Sequence, residues 1–102
     1  MSTPGSSARG FGTRAVGRPP ARRKNGPLAT PIVQSSTFSF ASSADLKRYL
    51  RNEQHEGEEL FLYSRYANPT VCDLEDTLAS LEGAERALAF SSGMAALSTA
   101  MI

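Results

Sequence analysis

The stretch LEGAERALAFSSGMAA, residues 81–96, decides how this chain is to be folded. Gly83 is a natural helix stop, because glycine takes the left-handed conformation after a C-cap at no steric cost. Glu85 to Phe90 is a short run consistent with a buried strand. Ser91, Ser92 and Gly93 interrupt it, and from Met94 onward the residues favour a helix. Helix, glycine stop, strand, glycine turn, helix is the pattern of an α/β fold built on a mostly parallel sheet.

A strand that turns through Ser-Ser-Gly into a helix also presents unpaired backbone N–H groups at the helix N-terminus. The helix dipole adds partial positive charge there, Gly93 lets an anion come close, and the hydroxyls of Ser91 and Ser92 can add hydrogen bonds. From this stretch alone two readings stand level. Either it is a phosphate cup, or Ser92 merely caps the helix while Gly93 permits a tight turn.

Working upstream, Asn68 is a good N-cap and Pro69 suits the first helical position, where a missing N–H costs nothing. Val71, Leu74, Leu78 and Leu81 then form an apolar stripe that calls for a core. Asp73, Glu75 and Asp76 in the first turns suit the positive end of the dipole. Before this helix stands Tyr63-Ser64-Arg65. Arginine offers a planar fork of donors suited to phosphate, and in an extended segment a phenol two residues away faces the same side. In isolation such a pair reads more simply as a surface arginine beside a packed tyrosine.

Further back, Ser42 with Asp45 resembles a weak capping box, and Leu46, Tyr49 and Leu50 predict a short amphipathic helix from Ala44 to Asn52. NEQHEGEE, residues 52–59, reads as a polar loop whose glutamates form a solvated face and not a metal site. TPIVQSSTFSF, residues 30–40, is rich in β-formers, with Pro31 favouring an extended or edge segment.

Composition narrows the function classes. A chain of 102 residues is near the size of one domain, and 40% hydrophobic with 21% charged residues is globular. A net charge of +1 argues against a nucleic-acid or membrane-surface binder, and no apolar run reaches the ~18 residues that span a bilayer. Cys72 is the single cysteine, which excludes an intrachain disulfide and makes a reducing compartment such as the cytoplasm the default. With His55 the only histidine, a structural zinc set is lacking, and nothing local supports a Cys72–His55 catalytic pair. Arg9, Arg14, Arg18, Arg22, Arg23 and Lys24 precede the first acidic residue, Asp45. Residues 1–28, rich in Gly, Pro and Ser, read as a flexible basic arm. Pro19 and Pro20 work against an amphipathic transit peptide.

YSRYANPT (63–70), the acidic amphipathic helix after it and LEGAERALAFSSGMAA together resemble the Cys/Met-metabolism pyridoxal-phosphate enzymes, relatives of cystathionine γ-synthase, cystathionine lyase, methionine γ-lyase and homoserine sulfhydrylase. TPIVQSSTF (30–38) is similar to the family's upstream segment, and FGTRAVG (11–17) echoes its N-terminal arm. The resemblance covers residues 29–102. It implies an aspartate-aminotransferase-like α/β fold (PLP fold type I). Residues 29–68 would be an extended interface segment with a short helix, and 69–102 the start of an incomplete large domain.

The resemblance also implies pyridoxal 5′-phosphate as cofactor, held through the amides of Gly93 and Met94 with Ser92 beside them. Tyr63 and Arg65 match the pair that reaches across a dimer interface to the neighbouring subunit's phosphate. The tyrosine lies near the amino-acid substrate with a possible assisting role in proton handling, and the whole is a homotetramer made as a dimer of dimers. Asn68 and Pro69 match a structural turn. The family's cofactor-binding lysine, ring-pairing aspartate and stacking aromatic residue fall after the SSGM block. Lys24 and Lys47, the two lysines here, lack the lysine's context. No catalytic residue is therefore assigned, and the expectation is an inactive N-terminal fragment of a transsulfuration enzyme, poorly cooperative when alone. The alternative is a non-catalytic phosphate- or partner-binding module.

Overall fold

The computed structural model describes residues 10–16, 27–55 and 58–102. Four helices are formed among them: α1, Phe11–Val16; α2, Ser43–Leu50; α3, Pro69–Glu82; and α4, Gly93–Met101. The described residues fall into two compact units, one of residues 10–16 and 73–102, the other of residues 27–55 and 58–72.

In the second unit, residues 31–40 form no named strand and carry a bend at Ser36 and a bridge at Thr37. They meet the segment before α3 at an isolated antiparallel bridge between Thr37 and Tyr63. The Phe38 N–H donates to the Leu62 carbonyl at 3.2 Å and the Ser64 N–H to the Ser36 carbonyl at 2.8 Å. The pairing is sealed by Phe38 and Phe61, ring centroids 5.6 Å apart. Phe40 packs on Tyr49 of α2 at 5.7 Å, within the usual range for aromatic pairs.

Each cap lies where local chemistry puts it. Ser42 is extended (φ −151°) and its Oγ accepts from the Asp45 N–H at 3.2 Å, opening α2 one residue before the expected Ala44. The Asp45 carboxylate also pairs with Arg48, one turn on. α2 stops two residues before the expected Asn52. That residue takes the left-handed conformation (φ 58°) just past the helix, and the Glu53 N–H bonds back to the Arg48 carbonyl at 2.9 Å. Asn68 caps α3, with its Oδ1 accepting from the Thr70 N–H at 2.9 Å. Gly83 ends it at φ 65°, and the Ala84 N–H returns to the Ala79 carbonyl at 2.9 Å.

Three departures are informative. The strand expected over Glu85–Phe90 does not form: residues 86–90 carry no regular assignment, and Leu88 is 70% exposed. A strand exists only through a partner's ladder, and no described segment supplies one. The Ala89 N–H goes instead to the Glu75 carboxylate at 2.9 Å, a side chain standing in for a neighbouring strand. The α/β reading is therefore met in its helices and not in a sheet. Secondly, the α3 stripe does not reach a core, since Leu74 is 51% exposed and Ala79 is the one buried apolar residue among those described. Thirdly, within the stretch read as a flexible arm, Phe11–Val16 is helical. The Arg14 guanidinium donates to the Leu81 carbonyl at 3.1 Å, satisfying one of the acceptors that a helix end leaves open. Residues 1–9 and 17–26 of that arm lie outside the described residues.

Candidate functional site

The sequence singled out two donor sets, and they lie in different units, so each is built by itself.

In the first unit, α4 starts from Ser92, whose backbone is extended (φ −151°, ψ 155°). Its Oγ accepts from the Ala95 N–H at 3.1 Å, and its carbonyl takes the first helical bond, from the Ala96 N–H at 3.2 Å. Helix geometry leaves the amides of Gly93 and Met94 without an intrahelical acceptor. Ser92 is thus a true cap. Capping uses the lone pairs of its hydroxyl and leaves the O–H free to donate, so the cap and the cup readings are compatible. The tight-turn reading of Gly93 is not needed. Its φ is not positive, and a Cβ built there meets nothing within 4 Å, so neither strain nor crowding inside the chain calls for glycine. Met94 is 71% exposed. Two outward amides, a hydroxyl donor and the dipole's positive end form a donor set that fits a phosphate.

In the second unit, Tyr63 and Arg65 come together, but not by the expected strand alternation. Residues 64–66 form a turn in which the Tyr66 N–H donates to the Tyr63 carbonyl at 2.9 Å and the Ala67 N–H to the same oxygen at 3.2 Å. The turn lays the Arg65 guanidinium carbon 5.3 Å from the Tyr63 ring centroid and 5.7 Å from that of Tyr66. The two rings stand edge to face at 6.1 Å. Arg65 is exposed and rests on two aromatic faces, an arrangement worth about 0.5–1 kcal/mol per contact at an exposed site. Tyr66 supplies the second aromatic contact to Arg65. The Tyr-x-Arg-Tyr spacing around one arginine was the available signal.

Electrostatics elsewhere centre on Arg48. Its guanidinium forks onto both oxygens of Glu58, at 2.7 and 2.8 Å, and also pairs with Asp45. The hydrogen bonds from Arg48 hold Glu58 below the usual carboxylate range, helped by the His55 backbone N–H. Asp45 is lowered by Arg48 first and by Ser42 second, while Asp45 and then Glu58 raise Arg48. Cys72 lies half-buried in the first turn of α3, and His55 is exposed in the loop after α2. Among the described residues no group of three or more His, Cys, Asp and Glu could hold a metal ion, and no helix is long and apolar enough to cross a membrane.

Each of these two sets offers hydrogen-bond donors of the kind an anion such as phosphate accepts. Comparison with known proteins makes the assignment specific. The model of the Cys/Met metabolism PLP-dependent enzyme family matches residues 13–102, and the chain belongs to that family, whose cofactor is pyridoxal 5′-phosphate. The chain is similar to the L-methionine gamma-lyase of Porphyromonas gingivalis, 40% identical over 92 residues, covering 90% of this chain and 22% of that protein. Cystathionine gamma-synthase 1, chloroplastic, of Arabidopsis thaliana is 40% identical over 75 residues, 74% of this chain and 12% of its own length. Cystathionine beta-lyase MetC of Bacillus subtilis is 42% identical over 77 residues, 76% and 17% of the two chains. The chain spans about a fifth of the length of the first of these. Family membership implies the PLP type I fold, of which the described residues display helices and turns but no sheet.

Proposed function

We propose that these residues supply the phosphate-binding part of a pyridoxal-phosphate-dependent transsulfuration enzyme. It would carry out β- or γ-elimination, or γ-replacement, on cysteine, cystathionine, methionine or an activated homoserine. The names of the relatives span this range, from methionine gamma-lyase and cystathionine beta-lyase to O-succinylhomoserine sulfhydrylase. When bound, the cofactor supplies an electron sink for a carbanion at the amino acid's α-carbon.

The chain's own residues have binding roles. The amides of Gly93 and Met94 and the hydroxyl of Ser92 hold phosphate oxygens, and the positive end of α4 offsets their charge. Arg65, as a fixed cation, offers a bidentate fork and Tyr63 a phenolic O–H, to the phosphate bound by a neighbouring subunit in a dimer of dimers. Tyr63 stands near the substrate as a proton-holding group. Neither lysine of the chain suits the covalent role: Lys47 is on an exposed face of α2, and Lys24 lies in the basic stretch outside the described residues. Turnover then needs a lysine from outside these 102 residues, and the chain by itself is inactive. The single cysteine, Cys72, is the reason to place the enzyme in a reducing compartment such as the cytoplasm.

The observation that carries the reading is the α4 N-terminus, where two amides lack helical acceptors and Gly93 has no reason inside the chain to be glycine. Its test is retention of cofactor absorbance after dialysis, followed by release of thiol from methionine or cystathionine. The isolated chain should retain none. A polypeptide joining it to the lysine-bearing remainder should retain the cofactor and turn over at least one of these substrates. Failure of that longer protein to hold the cofactor would overturn the proposal.

A further inference from the structure

Between the two residues assigned to the phosphate stands Ser64, to which no part of that assignment gives a role. Its contacts are dense for a serine in a turn. The backbone N–H donates to the Ser36 carbonyl at 2.8 Å. The hydroxyl donates to the Ser35 carbonyl and accepts from Asn68 Nδ2 at 2.9 Å. The same Asn68 amide also donates to the Val33 carbonyl at 3.0 Å, while its Oδ1 caps α3 through the Thr70 N–H. Thr70 completes the lattice, its Oγ1 donating to the Pro31 carbonyl at 2.8 Å and accepting from the Val33 N–H at 2.9 Å. One hydroxyl thus ties the turn to the 31–40 segment on one side and to the start of α3 on the other. The carbonyl of the residue before it, Tyr63, closes the turn by accepting from two amides.

We infer that Ser64 is a positioning residue for phosphate recognition: its hydroxyl fixes the turn that presents Tyr63 and Arg65 together. The inference rests on the assignment of those two residues to the phosphate. The physical reason is preorganisation. An exposed arginine loses several rotors' worth of freedom on meeting an anion, and a turn already holding it against two rings reduces that loss. Alanine at position 64 removes one donor and one acceptor at once, and leaves the Asn68 amide a partner short. Threonine keeps both functions.

The test compares reconstitution of the apoenzyme with pyridoxal phosphate and with pyridoxal, which lacks the phosphate. The half-saturating concentration of pyridoxal divided by that of pyridoxal phosphate isolates the phosphate's contribution from general folding effects. Ser64→Ala should lower that ratio roughly five- to tenfold, the size expected from one or two net hydrogen bonds. Ser64→Thr should restore it. Asn68→Asp, which keeps the α3 cap and loses the donor to Ser64, provides a second route should Ser64→Ala fold poorly, and should lower the ratio in the same direction. Arg65→Ala separates the two levels of the claim. A ratio unchanged by Arg65→Ala sinks the assignment of Arg65 to the phosphate, and this inference with it. A ratio lowered by Arg65→Ala but untouched by both Ser64→Ala and Asn68→Asp overturns the role of Ser64 while the assignment stands.

Discussion

Glycine and serine at the mouth of α4 can be separated by what each lacks or adds. Gly93 occupies helical backbone with open space where a Cβ would stand, so Gly93→Ala should leave α4 intact or slightly firmer, since alanine is favoured over glycine in helices by up to about 1 kcal/mol. If a phosphate approaches that amide, the same methyl obstructs it. The expected outcome is an unchanged helical circular dichroism signal with at least a tenfold weaker cofactor affinity in the holoenzyme, and equal affinity would return Gly93 to the status of an ordinary helix residue. Ser92 needs a paired substitution because it does cap the helix. Ser92→Ala should cost about 1 kcal/mol of helix stability and Ser92→Gly only a few tenths. Both remove the hydroxyl donor. Cofactor binding weakened equally by the two variants would mark the O–H as the functional group, whereas weakening by alanine alone would mark the cap. From the sequence, cap and cup could not be told apart. The atomic arrangement shows that one hydroxyl can serve both, by accepting on one side and donating on the other.

Elements whose causes are local were legible, and those whose causes are distant were not. Ser42, Asn68 and Gly83 set helix ends through bonds spanning five residues or fewer, and each stands at the end expected of it. The 86–90 segment needs a neighbouring strand, which no pattern within it can reveal, and the helical Phe11–Val16 meets its Leu81 contact 67 positions away. The Tyr63–Arg65 pair was legible as a pair, but the geometry joining it is a turn fixed by residues 31–37, far outside the motif. Glu58, beyond α2, is held similarly by the fork from Arg48, and this contact has a pH signature. Glu58 and Asp45 both titrate lower in the folded chain than in an unfolded one, since Arg48 favours their charged forms. Groups of that kind lend stability above their unfolded values, and that stability is lost as pH falls through the lowered folded ones. The order of the α2 region should therefore hold from neutrality down to about pH 4.5 and decline below it. Salt should weaken it at all pH values because the groups are solvent-facing. The amide and guanidinium resonances of Arg48, followed by NMR against pH, would report it; a flat profile between pH 5 and 2 would show that the fork contributes nothing. Arg48→Lys, which cannot hold both Glu58 oxygens in a planar fork, should show a shallower decline.

At the scale of the whole chain, the elements are well specified and the core is not. Ordering each residue costs on the order of 1–2 kcal/mol of conformational entropy, and burial of apolar surface is the principal offset. Here Ala79 alone among the described residues is buried, while Leu74, Leu78, Leu88, Phe90, Leu97 and Met101 all remain exposed. Hydrogen-bonded caps and turns cannot make up the difference, because each net bond contributes only about 1 kcal/mol. The 102-residue chain in isolation should accordingly lack a cooperative transition. Heating should produce a gradual loss of helical signal with no sharp midpoint, the calorimetric trace should show no distinct peak, and a hydrophobic dye should bind at neutral pH. A single sharp calorimetric transition, with equal van't Hoff and calorimetric enthalpies, would contradict this. The same exposed residues make the opposite prediction for the chain within an enzyme of its family. The apolar stripe of α3 and the unpaired 86–90 segment are suited to being covered there, the first by packing and the second by strands on either side. Amide exchange at Ala87 and Ala89 reads that change directly. It should be nearly unprotected in the isolated chain at Ala87, retarded at Ala89 only by the Glu75 bond, and slowed by orders of magnitude at both once a sheet is built around them.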